Sequence, residues 1–281
     1  MPLLYYWRGD NYRRDLDFGA SYHLNQSNKL LHEIEIGDSL WAFTKTNNGK
    51  YVLASELVIT AKTYNPSNYR YGRYRVWGDL ERSKYFKVIV QPNFENILRN
   101  FSITINAKLL GQSFQGHAAL RKISYQDNLI LKEYSKLLPI EERARLLPEE
   151  RLEALIYSKN PEAIYKLFKE VPHGIAEKRI EYLYTKSPRR NAEFVVHLNE
   201  LYKGKCQICS WDPIKHYGRN ICQVHHLQWL SRGGEDNIKN LVLLCPNHHS
   251  AVHRLDAVFD FSSYSFNFYS RTEALSLNLH L

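Results

Sequence analysis

The sequence predicts an α+β chain of two domains joined by a helical connector, and three observations carry that expectation. Short apolar and aromatic runs broken by Asn, Gly and Pro turns fill residues 1–125, which reads as a β-barrel. Helical spacing then takes over through residues 126–186. Within 187–281, the segment from Cys206 to His253 gathers all four cysteines and six of the twelve histidines, the mark of a small metal-held domain. A length of 281 residues agrees, since single cores usually stop at about 100–200.

Composition narrows the partners. The chain is 44% hydrophobic and 24% charged, as a globular protein is, and its net charge of +9 with a pI near 9.2 favours a polyanion such as nucleic acid. No apolar run approaches the ~18 residues of a membrane span, so no membrane partner is expected. The N-terminus lacks a basic region followed by an apolar core, which predicts no secretory signal. With three of four cysteines assigned to metal below, a disulfide framework is not expected and a cytoplasmic setting is.

In the N-terminal part, Ser39–Phe43, Tyr51–Ile59 and Tyr85–Val90 read as strands. Fifteen of the first 85 residues are Tyr, Trp or Phe, more than a core of this size needs. Several lie among arginines: Tyr5-Tyr-Trp7-Arg8, Tyr12-Arg-Arg14 and Tyr69-Arg-Tyr-Gly-Arg-Tyr-Arg-Val-Trp77. Aromatic faces stack on bases and arginines pair with phosphates, so the interleaving suits a nucleic-acid surface; a barrel core with tyrosines at its rim is the competing explanation.

From Tyr125, the spacing of Leu129, Leu131, Tyr134, Leu137 and Leu138 predicts a helix ended by Pro139. Pro148–Tyr157 and Pro161–Glu170 follow as two short helices, each opened by its proline. Ser187-Pro-Arg-Arg190 opens the last domain, Ala192–Tyr202 makes its leading helix, and Val258–Phe261 with Tyr264–Tyr269 predicts a terminal hairpin that serves packing or dimer contact.

The Cys/His segment divides by spacing into two metal sites. Cys206 and Cys209, a C-x2-C pair, would join Cys245 and His248 in a closed tetrahedron for structural zinc, with Pro246 starting a helix after Cys245. On that helix His249 and His253 are four apart and share a face, which His225 would reach from a strand. Three neutral imidazoles leave positions open for phosphate oxygen and water. His226, next to His225, then points to the other side of the strand or lies at its bend, and is available to take a proton from water. Cys222 and His216 read as a buried small side chain and a loop residue.

These residues resemble the HNH, or ββα-metal, endonucleases, in a form that pairs a strand histidine doublet and HxxxH helix with a zinc knuckle. The resemblance covers about Asn191 to Ala257. It implies that His226 is the general base, that His225, His249 and His253 hold one divalent cation (magnesium, manganese, nickel or zinc), and that Asn240 braces the loop orienting His226. Gly233, Gly234 and Asp236 match the turn before the helix, and Leu241-Val-Leu-Leu244 falls in register. Two departures stand out: Gln223 occupies a position that is a carboxylate in many relatives, and His248 replaces the more frequent cysteine. The implied reaction is hydrolysis of double-stranded DNA leaving a 5′-phosphate.

The N-terminal order of elements loosely resembles PUA-like barrels of the EVE and SRA kind, through the Tyr6-Trp7 strand, the turn in Ile36-Gly-Asp38-Ser-Leu-Trp41 and Gln115-Gly-His-Ala-Ala-Leu120. That resemblance implies a pocket for a flipped, modified base, lined by Trp7, Trp41 or Trp77 and read by Asp10, Asn11 or Asp79. Together these readings give a modification-dependent restriction endonuclease acting on modified cytosine, a homodimer being suited to a double-strand break. Two competitors stand beside it: an HNH nuclease of ordinary sequence specificity or of a mobile-element or defence system, and a zinc-held DNA clamp without catalysis. A clamp has no need of His226 or the HxxxH pair.

Overall fold

The computed structural model describes residues 1–18, 22–114, 116–141, 162, 190–232, 234–268 and 270–281. They fall into two compact units, one formed by residues 1–17 and 22–144 and the other by 18–21 and 145–281. The architecture is mixed α+β, as the composition of runs predicts.

In the N-terminal unit β1 (Leu3–Tyr6), β2 (His23–Gln26), β3 (Ser39–Lys45), β4 (Tyr51–Tyr64), β5 (Tyr74–Gly78), β6 (Lys84–Tyr85) and β7 (Leu120–Lys122) build one curled sheet in the order β2-β5-β4-β3-β1-β7, with β6 also on β4, and α1 (Gly9–Phe18) follows β1. The curl comes from β4. Its 14 residues pair β3 with the first part and β5 with the last, and register breaks at Ala42/Phe43 and Ile59/Ala61 re-aim the strand between them. Leu4, Trp41, Phe43 and Leu53 face a core closed by Phe86, Phe94, Leu98, Phe101 and Phe114.

The helix expected at Tyr125 is α3 (Tyr125–Ser135), with α2 (Glu95–Arg99) before it; Ser124 and Asp127 form a capping box at its start. Its Leu131, with Ile123 and Leu138, packs into this same aromatic core, so the opening of the expected 126–186 segment is joined to the N-terminal sheet by packing. The expected helices Pro148–Tyr157 and, apart from Glu162, Pro161–Glu170 lie outside the described residues, as do Arg189 and Gln115.

The strand expected over Tyr85–Val90 stops at Tyr85. The amide of Gln91 supplies the reason: its Oε1 accepts from Leu53 N at 3.0 Å and its Nε2 donates to Leu53 O at 2.7 Å, so a side chain takes the ladder position a longer β6 would fill.

Among the described residues of the C-terminal unit are α4 (Arg190–Tyr202) and α5 (Pro213–Tyr217). Then β8 (Gln223–His226) pairs antiparallel with β9 (Leu241–Leu244), and α6 (Pro246–Arg254) follows. Strand β9 is apolar throughout because both of its faces are covered: Val242 and Leu244 enter a core with Phe259 and Phe266, Leu241 and Leu243 one with Leu198 and Tyr202 of α4. The expected hairpin is β10 (Val258–Asp260) and β11 (Ser265–Asn267), extended by an unexpected third strand, β12 (Thr272–Ala274). Among the described residues no helix is long and apolar enough to cross a membrane.

Candidate active site

Strand alternation and helix periodicity bring the histidines together. In the β8–β9 register His225 lies opposite Val242 and His226 opposite Leu241, so the two imidazoles leave opposite faces of the strand. Cys245 caps α6 in extended conformation and Pro246 takes its first turn, which sets His249 and His253 one helical turn apart. One ring nitrogen from each of His225, His249 and His253 lies within 4.8 Å of the others. Ring centroids are 5.3 Å apart for His225–His249, 4.7 Å for His225–His253 and 4.6 Å for His249–His253. Trp229 lies beside this group, 5.5 Å from His253, and the Arg232 guanidinium stands over its ring at 4.7 Å. Arg232 is in turn paired with Asp256 at 2.5 Å, just beyond the end of α6. The donor set fits a divalent transition ion.

Cys206, Cys209, Cys245 and His248 form the second group within the same 4.8 Å limit. His248 Nδ1 lies 3.2 Å from Cys245 Sγ and 3.5 Å from Cys206 Sγ. Burial pushes the Cys206 thiol up to about 12, so a thiolate there needs a cation beside it. Two such local turns facing each other fit a tetrahedral metal of the soft kind.

His226 is enclosed completely, and its Nε2 lies 3.0 Å from Oδ1 of Asp236, itself 3% exposed. Sequence reading placed Asp236 only in a turn. The sole hint of more was its position between the glycine pair and Asn240. Asn240 grips the loop at both ends: Gln228 N donates to its Oδ1 at 2.7 Å, and its Nδ2 donates to the carbonyls of Gln228 at 2.9 Å and Glu235 at 2.7 Å. Gly234 is required by contact, because a Cβ there would sit 1.8 Å from Gln228 O. Gly233 lies outside the described residues.

Residues 206–255 match the HNH endonuclease family model. This segment is an HNH endonuclease domain. Comparison with curated proteins gives no match. Among solved structures, the type IV phosphorothioation-dependent restriction endonuclease ScoMcrA is similar at 15% identity and a TM-score of 0.21, over 89% of this chain and 50% of that one. The chain thus spans about half the length of that enzyme's structure.

Asn240 of the HNH domain leads to an expected outcome. Asn240→Ala strips hydrogen bonds from the buried N–H and carbonyl of Gln228 and from the carbonyl of Glu235, at about 1–3 kcal/mol for a buried group left unsatisfied. Urea unfolding should show a loss of that order, and cleavage should fall with it because His226 and Asp236 flank the same loop.

The six residues expected to form a base pocket lie in different local settings. Trp41 and Trp77 belong to the interior: both are at most 2% exposed, and their indole N–H groups donate to Asn128 Oδ1 and Thr63 Oγ1, each at 2.7 Å. Neither offers a ring face to a ligand. Asp79 is a turn residue whose Oδ1 accepts from the backbone N–H of Glu81 and Arg82. Asp10 is exposed and paired with Arg13, and Asn11 is half-buried nearby on α1. Trp7 is half-buried, donates to Asp15 Oδ2 at 3.0 Å and meets the edge of Tyr12. Asp15, an acid that sequence reading did not single out, thus stands beside Trp7.

The basic aromatic run ending at Trp77 divides likewise. Arg75 is buried, stacked at 5.3 Å on Tyr69 and 5.1 Å on Trp77, and donates from Nε to Asn25. Arg70, Tyr71 and Arg73, on the loop between β4 and β5, are exposed.

Proposed function

We propose that the chain is a DNA endonuclease in which His226 is the general base, His225, His249 and His253 hold one divalent cation, and Cys206, Cys209, Cys245 and His248 hold structural zinc. The observation that carries this is the convergence of three imidazoles on one side of β8 with a His–Asp pair on the other. A divalent ion, when bound, relieves charge on the phosphate and its leaving oxygen. The protein's own groups do the rest. His226 takes the proton from the attacking water, and its Nε2 lies 3.0 Å from Asp236 Oδ1. Asp236 then steadies the imidazolium, as Asn240 holds the loop that carries Asp236.

The N-terminal unit supplies target choice in this reading. Its curled sheet, with Trp7 and Asp15 side by side and Arg70, Tyr71 and Arg73 exposed, supports a PUA-like unit contacting DNA and reading modified cytosine. The enzyme is then a modification-dependent restriction nuclease of the cytoplasm, working as a homodimer on double-stranded DNA. An unguarded nuclease would cut its own host, and dependence on an altered base prevents that. Digestion of matched duplexes carrying cytosine, 5-methylcytosine, 5-hydroxymethylcytosine or glucosylated cytosine tests it, with phosphorothioated DNA as a further arm. Cleavage confined to one cytosine-modified duplex is the expected result; equal cutting of the unmodified duplex overturns the dependence.

A further inference from the structure

We infer that Glu273, on β12, is the outer-sphere partner of the zinc ligand His248, and that segment 271–277 is thereby part of the zinc centre. The inference rests on the reading of the Cys/His group as a zinc site. His248 turns Nδ1 toward the cysteine sulfurs, so in the neutral, metal-bound ring the hydrogen is on Nε2. Glu273 Oε2 lies 2.9 Å from that Nε2, an ion-pair contact and not an aligned hydrogen bond, with both side chains largely buried. Arg271 pairs with the other oxygen, Oε1, which turns Oε2 toward the histidine.

The same segment is fastened to the other half of the knuckle. Ser276 N and Leu277 N donate to Gln207 O at 2.8 and 3.0 Å, Gln207 Nε2 donates to Leu277 O at 3.1 Å, and the hydroxyls of Ser210 and Ser276 are 2.7 Å apart. Gln207 lies between Cys206 and Cys209. Segment 271–277 therefore touches both loops that carry ligands. A carboxylate beside a metal-bound imidazole fixes the ring's orientation and raises its basicity, and losing such a partner typically costs about 10–100-fold in metal affinity. The arrangement also accounts for His248 where relatives carry cysteine: a carboxylate at 273 would face a thiolate with no hydrogen to offer it.

Zinc release to a chromogenic chelator decides the matter in the full chain. Glu273→Gln should fold, bind one zinc and release it about tenfold faster or more. In a His248→Cys background, the same Glu273→Gln change should alter release by less than twofold, because the N–H it would serve is gone. Unchanged release in the wild-type background, or an equal acceleration in both, overturns the inference and makes Glu273 a packing residue. If Glu273→Gln fails to fold, Glu273→Asp carries the same comparison. Wild-type protein without zinc by metal analysis removes the zinc reading itself, and the inference with it.

Discussion

A His226→Ala variant is expected to bind DNA as the native chain does and to cut it about 10²–10⁴-fold more slowly, the range a positioned general base supplies. The substitution also has a structural cost that must be separated from the chemical one. Asp236 is 3% exposed, and deleting its partner leaves a buried carboxylate without the imidazole. Breaking such a pair can cost about 3–5 kcal/mol. The companion variant Asp236→Asn divides the two effects, since its amide oxygen still accepts from Nε2–H while its charge is gone. Single-turnover cleavage should therefore fall less for Asp236→Asn than for His226→Ala, with DNA affinity unchanged in both. A double variant, His226→Ala with Asp236→Asn, should regain stability and stay inactive. Full activity in a folded His226→Ala protein would remove His226 as the base.

Which parts of this site could be seen in the sequence follows from how far apart the partners are. Cys206 and Cys209, Cys245 and His248, and His249 and His253 are local pairs, and a two- or three-residue spacer on a turn or helix converts directly into shared geometry. The opposed directions of His225 and His226 follow from strand alternation alone. Asp236 and Glu273 could not be found this way. Each meets its histidine across a loop or from a later strand, and no period links them. Aromatic identity misled in the N-terminal unit for another reason: Trp41 and Trp77 satisfy their N–H groups inside the protein, and a tryptophan in a strand looks the same in sequence whether it faces a core or a ligand. The shortened β6 depended on a side-chain amide imitating a strand, which strand propensity does not register.

The other large effect is expected from removing the proposed structural zinc, by a strong chelator or by Cys245→Ser. Cys245 is at once a ligand candidate, a buried member of the C-terminal core and the residue that caps α6. Helix α6 has only nine residues, too few to persist on its own, and it carries both His249 and His253. Binding energy at structural zinc sites, about 10–16 kcal/mol in small domains, is folding energy. Without zinc, the turn at Cys206–Cys209 loses its tie to the start of α6, and the three-histidine group loses two of its members. Cleavage should vanish and added manganese or nickel should not restore it, because the loss lies in the helix that presents the ligands. Hydrogen exchange should show β9 amides losing protection while those of β4, packed in the separate N-terminal core, keep theirs. Cys222→Ser provides the control: Cys222 stands outside the ligand group, so that variant should retain zinc, exchange protection and activity. Cleavage by a zinc-free protein at the native rate would mean that the knuckle does not position α6, and that the two metal groups work independently.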